Sequence, residues 1–258
     1  MPVLTRPDGV RLYHEVHGAE GRPPMILLEG MGGDIPGWRR NIPVLARELL
    51  VIAYDFRGNG NSDEPTGPVT MTTFVEDTVA LLDSLGIERA HVYGQSFGGM
   101  VAQEMALTRP DRVRALILGC THVGTRYAVR AKSSKVPKGT SWRAMYAPDF
   151  PDRHPEHVAE DLRIGGAQPK HPEGGRRQWE AMQGFDSYDR LPELGVPTLI
   201  LHGTEDQAIP AENARVLADR IPHAELVLLE GAGHLYHSER AEAADAAVLD
   251  FVKRHRDA

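Results

Sequence analysis

His91-Val92-Tyr93-Gly94-Gln95-Ser96-Phe97-Gly98-Gly99-Met100 decides the fold. A β-branched and aromatic run enters Gly-x-Ser-x-Gly, and residues 100–108 then read as a helix. The pattern predicts a strand, a corner and a helix, with serine at the corner. Holding Ser96 there requires an unusual backbone angle, and Gly94 and Gly98 let strand and helix approach closely. The consequence is chemical: the hydroxyl is pushed above the sheet edge. The Phe97 N–H sits at a helix N-terminus, where negative charge is stabilised. An ordinary glycine-rich turn before a helix is the plainer alternative, so the flanking chain has to decide.

Upstream, residues 10–16 alternate apolar and polar, as a half-exposed antiparallel strand does. Asp8-Gly9 is a hairpin turn signal, which makes residues 2–5 the partner strand. Met25-Ile26-Leu27-Leu28 is a continuous apolar run suited to a strand buried on both faces. It ends in Glu29-Gly30-Met31-Gly32-Gly33-Asp34, with a helix expected over 36–49. Gly30-x-Gly32 superficially imitates a dinucleotide fingerprint, but Ile35 stands where its third glycine belongs. The better reading is a turn that brings a second N–H, that of Met31, beside Ser96. A buried strand follows over 49–54, then the loop Asp55-Phe56-Arg57-Gly58-Asn59-Gly60-Asn61-Ser62, whose Asp and Arg are read as turn-stabilising. Thr72 or Thr73 is expected to cap a helix to Leu85, with Val75, Val79, Leu82 and Leu85 at helical spacing.

Downstream, residues 113–119 form another apolar strand, and Cys120 at its end reads as a small buried filler rather than a nucleophile. Over about 122–189 the alternation of strand and helix stops. Arg126, Arg130, Lys132, Lys135 and Lys138, prolines, and scattered Trp142, Tyr146, Phe150 and Trp179 suggest a mostly helical insertion. The expected division is 1–121 and 191–258 as a core, with 122–190 as a cap. His154-Pro155-Glu156-His157 has proline where a zinc helix needs regular i, i+4 geometry, so these histidines and His171 are read as surface residues. Alternation resumes with a strand over 196–201 ending in His202-Gly203-Thr204-Glu205-Asp206-Gln207. A helix over 211–220 and a strand over 224–229 follow, then Glu230-Gly231-Ala232-Gly233-His234. The last helix, over 239–254, carries Ala244, Ala247, Val248, Phe251 and Val252 on one stripe.

Composition sets the outer bounds. The chain has 258 residues, 41% hydrophobic and 25% charged, enough for one sizeable α/β domain with an insertion. A net charge of −7 and the absence of a basic stripe argue against nucleic acid as a partner. One cysteine excludes an internal disulfide framework. No stretch has transmembrane length and the start lacks an apolar leader, so no membrane partner and a cytoplasmic location are expected. Self-association is left open.

Ser96, Asp206 and His234 thus fall at the carboxyl ends of core strands, in the order serine, acid, histidine. Together with Asp55-x-Arg57-Gly58-x-Gly60-x-Ser62, His202-Gly203-Thr204-Glu205-Asp206 and Gly231-Ala232-Gly233-His234, this resembles the α/β-hydrolase fold family. Within it the chain is similar to small bacterial ester and lactone hydrolases, 3-oxoadipate enol-lactonase-like and cofactor-free haloperoxidase-like proteins among them. The resemblance implies a mostly parallel eight-stranded sheet with helices on both faces and a small helical cap. Serine needs a base, imidazole titrates in the right range, and the acid orients it and stabilises its cation. His237 is the rival base; Asp186, Asp189 and Glu205 are weaker candidates for the acid. Met31 and Phe97 are the expected oxyanion amides, and Gly30, Met100, His122, Trp142 and Tyr146 the expected substrate contacts. The reading calls for no cofactor and no metal. It implies hydrolysis of a small-molecule ester or lactone, with carbon–carbon bond cleavage, peracid formation or a non-catalytic receptor as alternatives. The chain departs from the family at Glu29, where histidine is common. An ionised carboxylate there would oppose an oxyanion, so Glu29 is expected behind the turn, paired with Arg57 or protonated.

Overall fold

The alternation of apolar residues along the strands is what builds the core. In a computed structural model of the protein, residues 2–65, 67–131, 141–169 and 171–256 are described; Lys132, Lys135 and Lys138 of the insertion lie outside them. The strands are β1 (Val3–Thr5), β2 (Arg11–His17), β3 (Pro24–Leu28), β4 (Leu50–Tyr54), β5 (Ala90–Gln95), β6 (Val113–Gly119), β7 (Thr198–Gly203) and β8 (Glu225–Leu229). They form one eight-stranded sheet in the order β1-β2-β4-β3-β5-β6-β7-β8. β1 and β2 form the expected antiparallel hairpin, β2 runs antiparallel to β4, and every pairing beyond β4 is parallel.

Successive residues of a strand point to opposite faces. Ile26, Leu28, Val92, Leu116, Leu118 and Ile200 therefore enter one core, and Met25, Leu27, Tyr93, Ile117, Leu199 and Leu201 the other. The helices are α1 (Ile42–Leu45), α2 (Met71–Ser84), α3 (Phe97–Thr108), α4 (Phe150–Arg153), α5 (Pro155–Ala167), α6 (Pro172–Gln183), α7 (Glu212–Arg220), α8 (Tyr236–Glu239) and α9 (Ala241–Arg254). α2, α3 and α7 close the first core with Phe74, Leu81, Val101, Met105 and Leu217. α1 and α9, with Trp38, close the second through Leu45, Val248 and Phe251. Fully burying a side chain of this size stabilises the fold by about 2 kcal/mol relative to leaving it in water.

Boundaries differ from the sequence reading where local chemistry intervenes. The helix expected over 36–49 is a 3-10 turn, Ile35–Trp38, followed by the single turn α1. Pro36 and Pro43 lack the N–H that a continuous ladder there would use. α2 is capped by Thr70 rather than Thr72 or Thr73, because Thr70 and Thr73 exchange side chain and backbone bonds in a capping box. The last helix breaks at Arg240 into α8 and α9, and Ala244, Val248, Phe251 and Val252 are buried on α9. Between β6 and β7 the described residues carry the helices α4, α5 and α6 and no strand. No helix of the described residues is long and apolar enough to cross a membrane.

Candidate active site

The carboxyl edge of the sheet collects the chemistry-bearing side chains, because each of them follows a parallel strand. Ser96 follows β5 with φ 53° and ψ −116°, a conformation that L side chains rarely adopt. Its neighbours enforce that strain. A Cβ on Gly94 would overlap the Gly98 carbonyl, and one on Gly98 would overlap the Leu28 carbonyl. The Ser96 N–H donates to Gly119 O at 2.8 Å, and the Thr121 hydroxyl donates to Ser96 O at 2.7 Å. The corner is thereby held between β5 and β6. Phe97 begins α3, and its ring meets Phe56 and Phe74 edge-on with centroids 5.8 and 5.1 Å away. Neither the Phe97 N–H nor the Met31 N–H has an acceptor among the described residues. Both residues line the cavity that Ser96 faces.

Asp206 and His234 meet directly. The His234 Nδ1–H donates to Asp206 Oδ2 at 2.7 Å, and both side chains are buried. Asp206 Oδ1 accepts from the amides of Ala208 and Ile209, each at 2.8 Å. His202 Nε2 lies 3.3 Å from Asp206 Oδ2 and 2.8 Å from Ile209 O. Burial works against the Asp206 charge, but the His234 charge and the donors from His202 and His234 outweigh it. The acid is held far below the usual carboxylate range. For His234, burial disfavours the cation, yet Asp206 overcomes this and the imidazole's affinity for a proton is raised. Gln95 Nε2 donates to His234 O at 3.1 Å and ties this loop to the residue before Ser96.

The rivals are placed elsewhere. His237 is buried against Trp38, with ring centroids 4.9 Å apart, and burial pushes its pKa down to about 3. Asp186, Asp189 and Glu205 are exposed. Cys120 is buried with φ 41°, and burial raises its thiol well above the ordinary value. The ligand-type atoms of Cys120, His202 and Asp206 lie within 4.8 Å of one another. The Asp206 oxygens in that group already accept from protein donors, so the cluster reads as support for the acid. His157 donates to or accepts from Ser238 at 2.8 Å, and His171 Nε2 donates to Gly60 O at 2.9 Å.

One cavity of about 490 Å³ is lined by Met31, Ser96, Phe97, Met100 and His122, with Val129, Trp179, Met182 and Ile209 among the apolar walls. His122 is kept neutral there, its pKa lowered to about 4 by burial and by His234. Gly30 does not line it; its Cα faces Gln95 and Ser96, where a Cβ would lie 2.7 Å from Gln95 Oε1. Trp142 and Tyr146, expected around the substrate, instead line a second cavity of about 230 Å³ behind the turn that carries Met31. The physical reason is their packing: Tyr146 stacks on Phe150, and its hydroxyl donates to Asp161 at 3.0 Å.

Glu29 lines that rear cavity, which Ser96 does not. Its side chain covers Gly33 and Gly37. Arg57 is not its partner, because that guanidinium pairs with Asp77 at 2.6 and 2.7 Å and with Asp8 at 2.8 Å. Burial raises the Glu29 pKa to about 7. Asp55 has the structural role the sequence suggests: its oxygens accept from Ile35 N and Asn61 N, each at 2.8 Å. Sequence reasoning passed over His202, although its i, i+4 spacing from Asp206 was visible. Gln178, whose carboxamide accepts from the Gly32 N–H, had no sequence signal.

A family model described as alpha/beta hydrolase fold matches residues 23–241. The 3-oxoadipate enol-lactonase 2 of Acinetobacter baylyi is 30% identical over 263 residues, covering 97% of this chain and 96% of that protein. A putative carbamate hydrolase RutD of a Caulobacter species is 32% identical over 256 residues, covering 93% of this chain and 95% of that one. The crystal structure of the enol-lactonase from Burkholderia xenovorans LB400 superimposes with a TM-score of 0.86 at 28% identity, covering 98% of this chain and 100% of that one.

Proposed function

The chain belongs to the α/β hydrolase fold family, a family of hydrolases to which the relatives above also conform, and from that premise we propose that it cleaves a carboxylic ester or lactone through an acyl-enzyme on Ser96. The observation that carries the reading is the buried Asp206–His234 hydrogen bond of 2.7 Å at the same sheet edge as the strained Ser96. In this reading His234 takes the Ser96 proton as the hydroxyl attacks the carbonyl carbon. Asp206 fixes the imidazole tautomer and stabilises its cation. The amides of Met31 and Phe97 hold the oxyanion, and their N–H groups have no acceptor among the described residues to exchange for it. His234 then gives its proton to the leaving alkoxide, and water, deprotonated by the same imidazole, releases the acid. Met100 and His122 flank the acyl group, and the described part of residues 122–190 acts as the cap over it.

The enol-lactonase relative supports the lactone side of this reading. The relative named as a carbamate hydrolase supports a second one, in which the same triad attacks a carbamate carbonyl. A panel of p-nitrophenyl esters of increasing acyl length, lactones and aryl carbamates tests both. Turnover of at least one ester or lactone, lost in Ser96→Ala, is expected. Carbamate turnover without ester turnover would replace the first reading by the second, and activity that survives Ser96→Ala would sink both.

A further inference from the structure

α6 touches the proposed site in two ways at once. Its side chains Trp179, Met182 and Gln183 line the cavity in front of Ser96. The residue before Trp179, Gln178, is fully buried and turns the other way, toward the turn that follows β3. There Gln178 Oε1 accepts from the Gly32 N–H at 2.9 Å, and Gln178 Nε2 donates to Asn59 Oδ1 at 2.9 Å. Asn59 Nδ2 in turn donates to Gly33 O at 2.5 Å. One carboxamide chain thus holds the Met31–Gly32 peptide by its N–H and the Gly33–Asp34 peptide by its carbonyl. The start of α6 is seated on the core loop: the amides of Glu173 and Gly174 donate to Glu64 Oε1 at 2.8 and 3.1 Å. Gly174 also meets Gly58 backbone to backbone, a contact that a Cβ on either residue would block. The helix is therefore fixed at its first turn, clamped to the Met31 turn in its middle, and open to substrate along its second half.

We propose that Gln178 is a positioning residue that couples filling of the acyl cavity to placement of the Met31 amide; this rests on the acyl-enzyme reading above. An acyl chain packed on Trp179 and Met182 steadies α6, and Gln178 passes that order to the Gly32 N–H and so to the adjoining Met31 peptide. Contact energy made remote from the carbonyl is then realised in the transition state, which raises kcat rather than only lowering KM. A glutamine that merely tied two segments together would affect thermal stability and lower kcat by one factor for every ester.

The test is steady-state kinetics of the full chain on p-nitrophenyl acetate, butyrate and hexanoate, for wild type, Gln178→Met and Gln178→Asn. The first substitution keeps length and removes hydrogen bonding; the second keeps the amide and withdraws it by one methylene. In wild type kcat rises with acyl length until the cavity is filled. Both variants are expected to lose roughly ten- to a hundredfold in kcat on the longest ester wild type accepts, a loss smaller than or comparable to removal of an oxyanion donor. Their KM stays within about threefold, and their kcat becomes nearly independent of acyl length. If Gln178→Met does not fold, Gln178→Asn decides. A uniform loss on all three esters, or no loss, overturns the coupling while leaving the serine mechanism standing. Activity that persists in Ser96→Ala overturns the mechanism and the coupling with it.

Discussion

Replacing Glu29 by Gln isolates a single buried carboxyl group whose cost can be worked out. Burial lifts its pKa from 4.5 to about 7, and the Gly30 amide and His234 only partly oppose the rise. Below pH 4.5 the group is protonated in folded and unfolded chains alike, and the folded state keeps its full stability. As pH rises, the unfolded chain releases the proton first, so stability drains away until the folded pKa is passed. A shift of about 2.5 units corresponds to roughly 3 kcal/mol, lost almost entirely between pH 4.5 and 7. Glutamine has the same shape and no proton to lose. The stability difference between Glu29→Gln and wild type should therefore open from near zero at pH 4 to about 3 kcal/mol at pH 8. In melting temperature this is on the order of 6–12 °C for a chain of this size. Glu239 and Asp245, also raised by burial, to about 7 and about 6, titrate in the same window. They do so in both proteins and cancel in the difference. Urea melts of the pair at unit pH steps provide the measurement. A flat difference, or one in which wild type gains on the variant as pH rises, would show an ionised, paired carboxylate and refute the placement.

Other expectations concern the triad. His234→Ala should be about as damaging to kcat as Ser96→Ala, with the double variant scarcely worse, whereas His237→Ala leaves kcat/KM near wild type and lowers the melting temperature through its lost packing on Trp38. Asp206→Asn should reduce kcat by roughly 10⁴, the loss seen when a serine-protease acid is similarly changed; near wild-type kinetics would place the acid elsewhere. Because Asp206 raises the proton affinity of His234, the acidic limb of the kcat/KM profile should lie above the ordinary imidazole value of 6.5. His202→Ala removes a donor from Asp206, which strengthens its pull on the His234 proton. The same limb should then move to still higher pH, and a shift downward would contradict that role for His202.

The parts of the fold set by local pattern were legible. The strands over residues 24–28, 50–54 and 113–119 announce themselves as continuous apolar runs, because each is covered on both faces. The serine corner is legible from its motif, with Gly94 required by the nearby Gly98 carbonyl, whereas the contact that requires Gly98 comes from the Leu28 carbonyl at the end of β3. What depended on partners distant in sequence was not legible. Trp142 and Tyr146 share the aromatic character of substrate contacts, yet Tyr146 is claimed by Phe150 and Asp161 on its own segment. Arg57 follows the strand paired with the one that ends at Glu29, but Asp77 on α2 offers two oxygens to its guanidinium. Gln178 looks like any polar residue on an amphipathic helix, and only the approach of α6 to the Met31 turn gives it a role.

Whether Ser96 carries the acyl group is decided by mass spectrometry of the protein after brief exposure to a slowly released p-nitrophenyl ester. One acyl adduct is expected, mapped to the peptide containing Ser96, absent from Ser96→Ala and strongly reduced in His234→Ala. Turnover by wild type with the adduct mapped to another residue, or an undiminished adduct in Ser96→Ala, would contradict that role for Ser96.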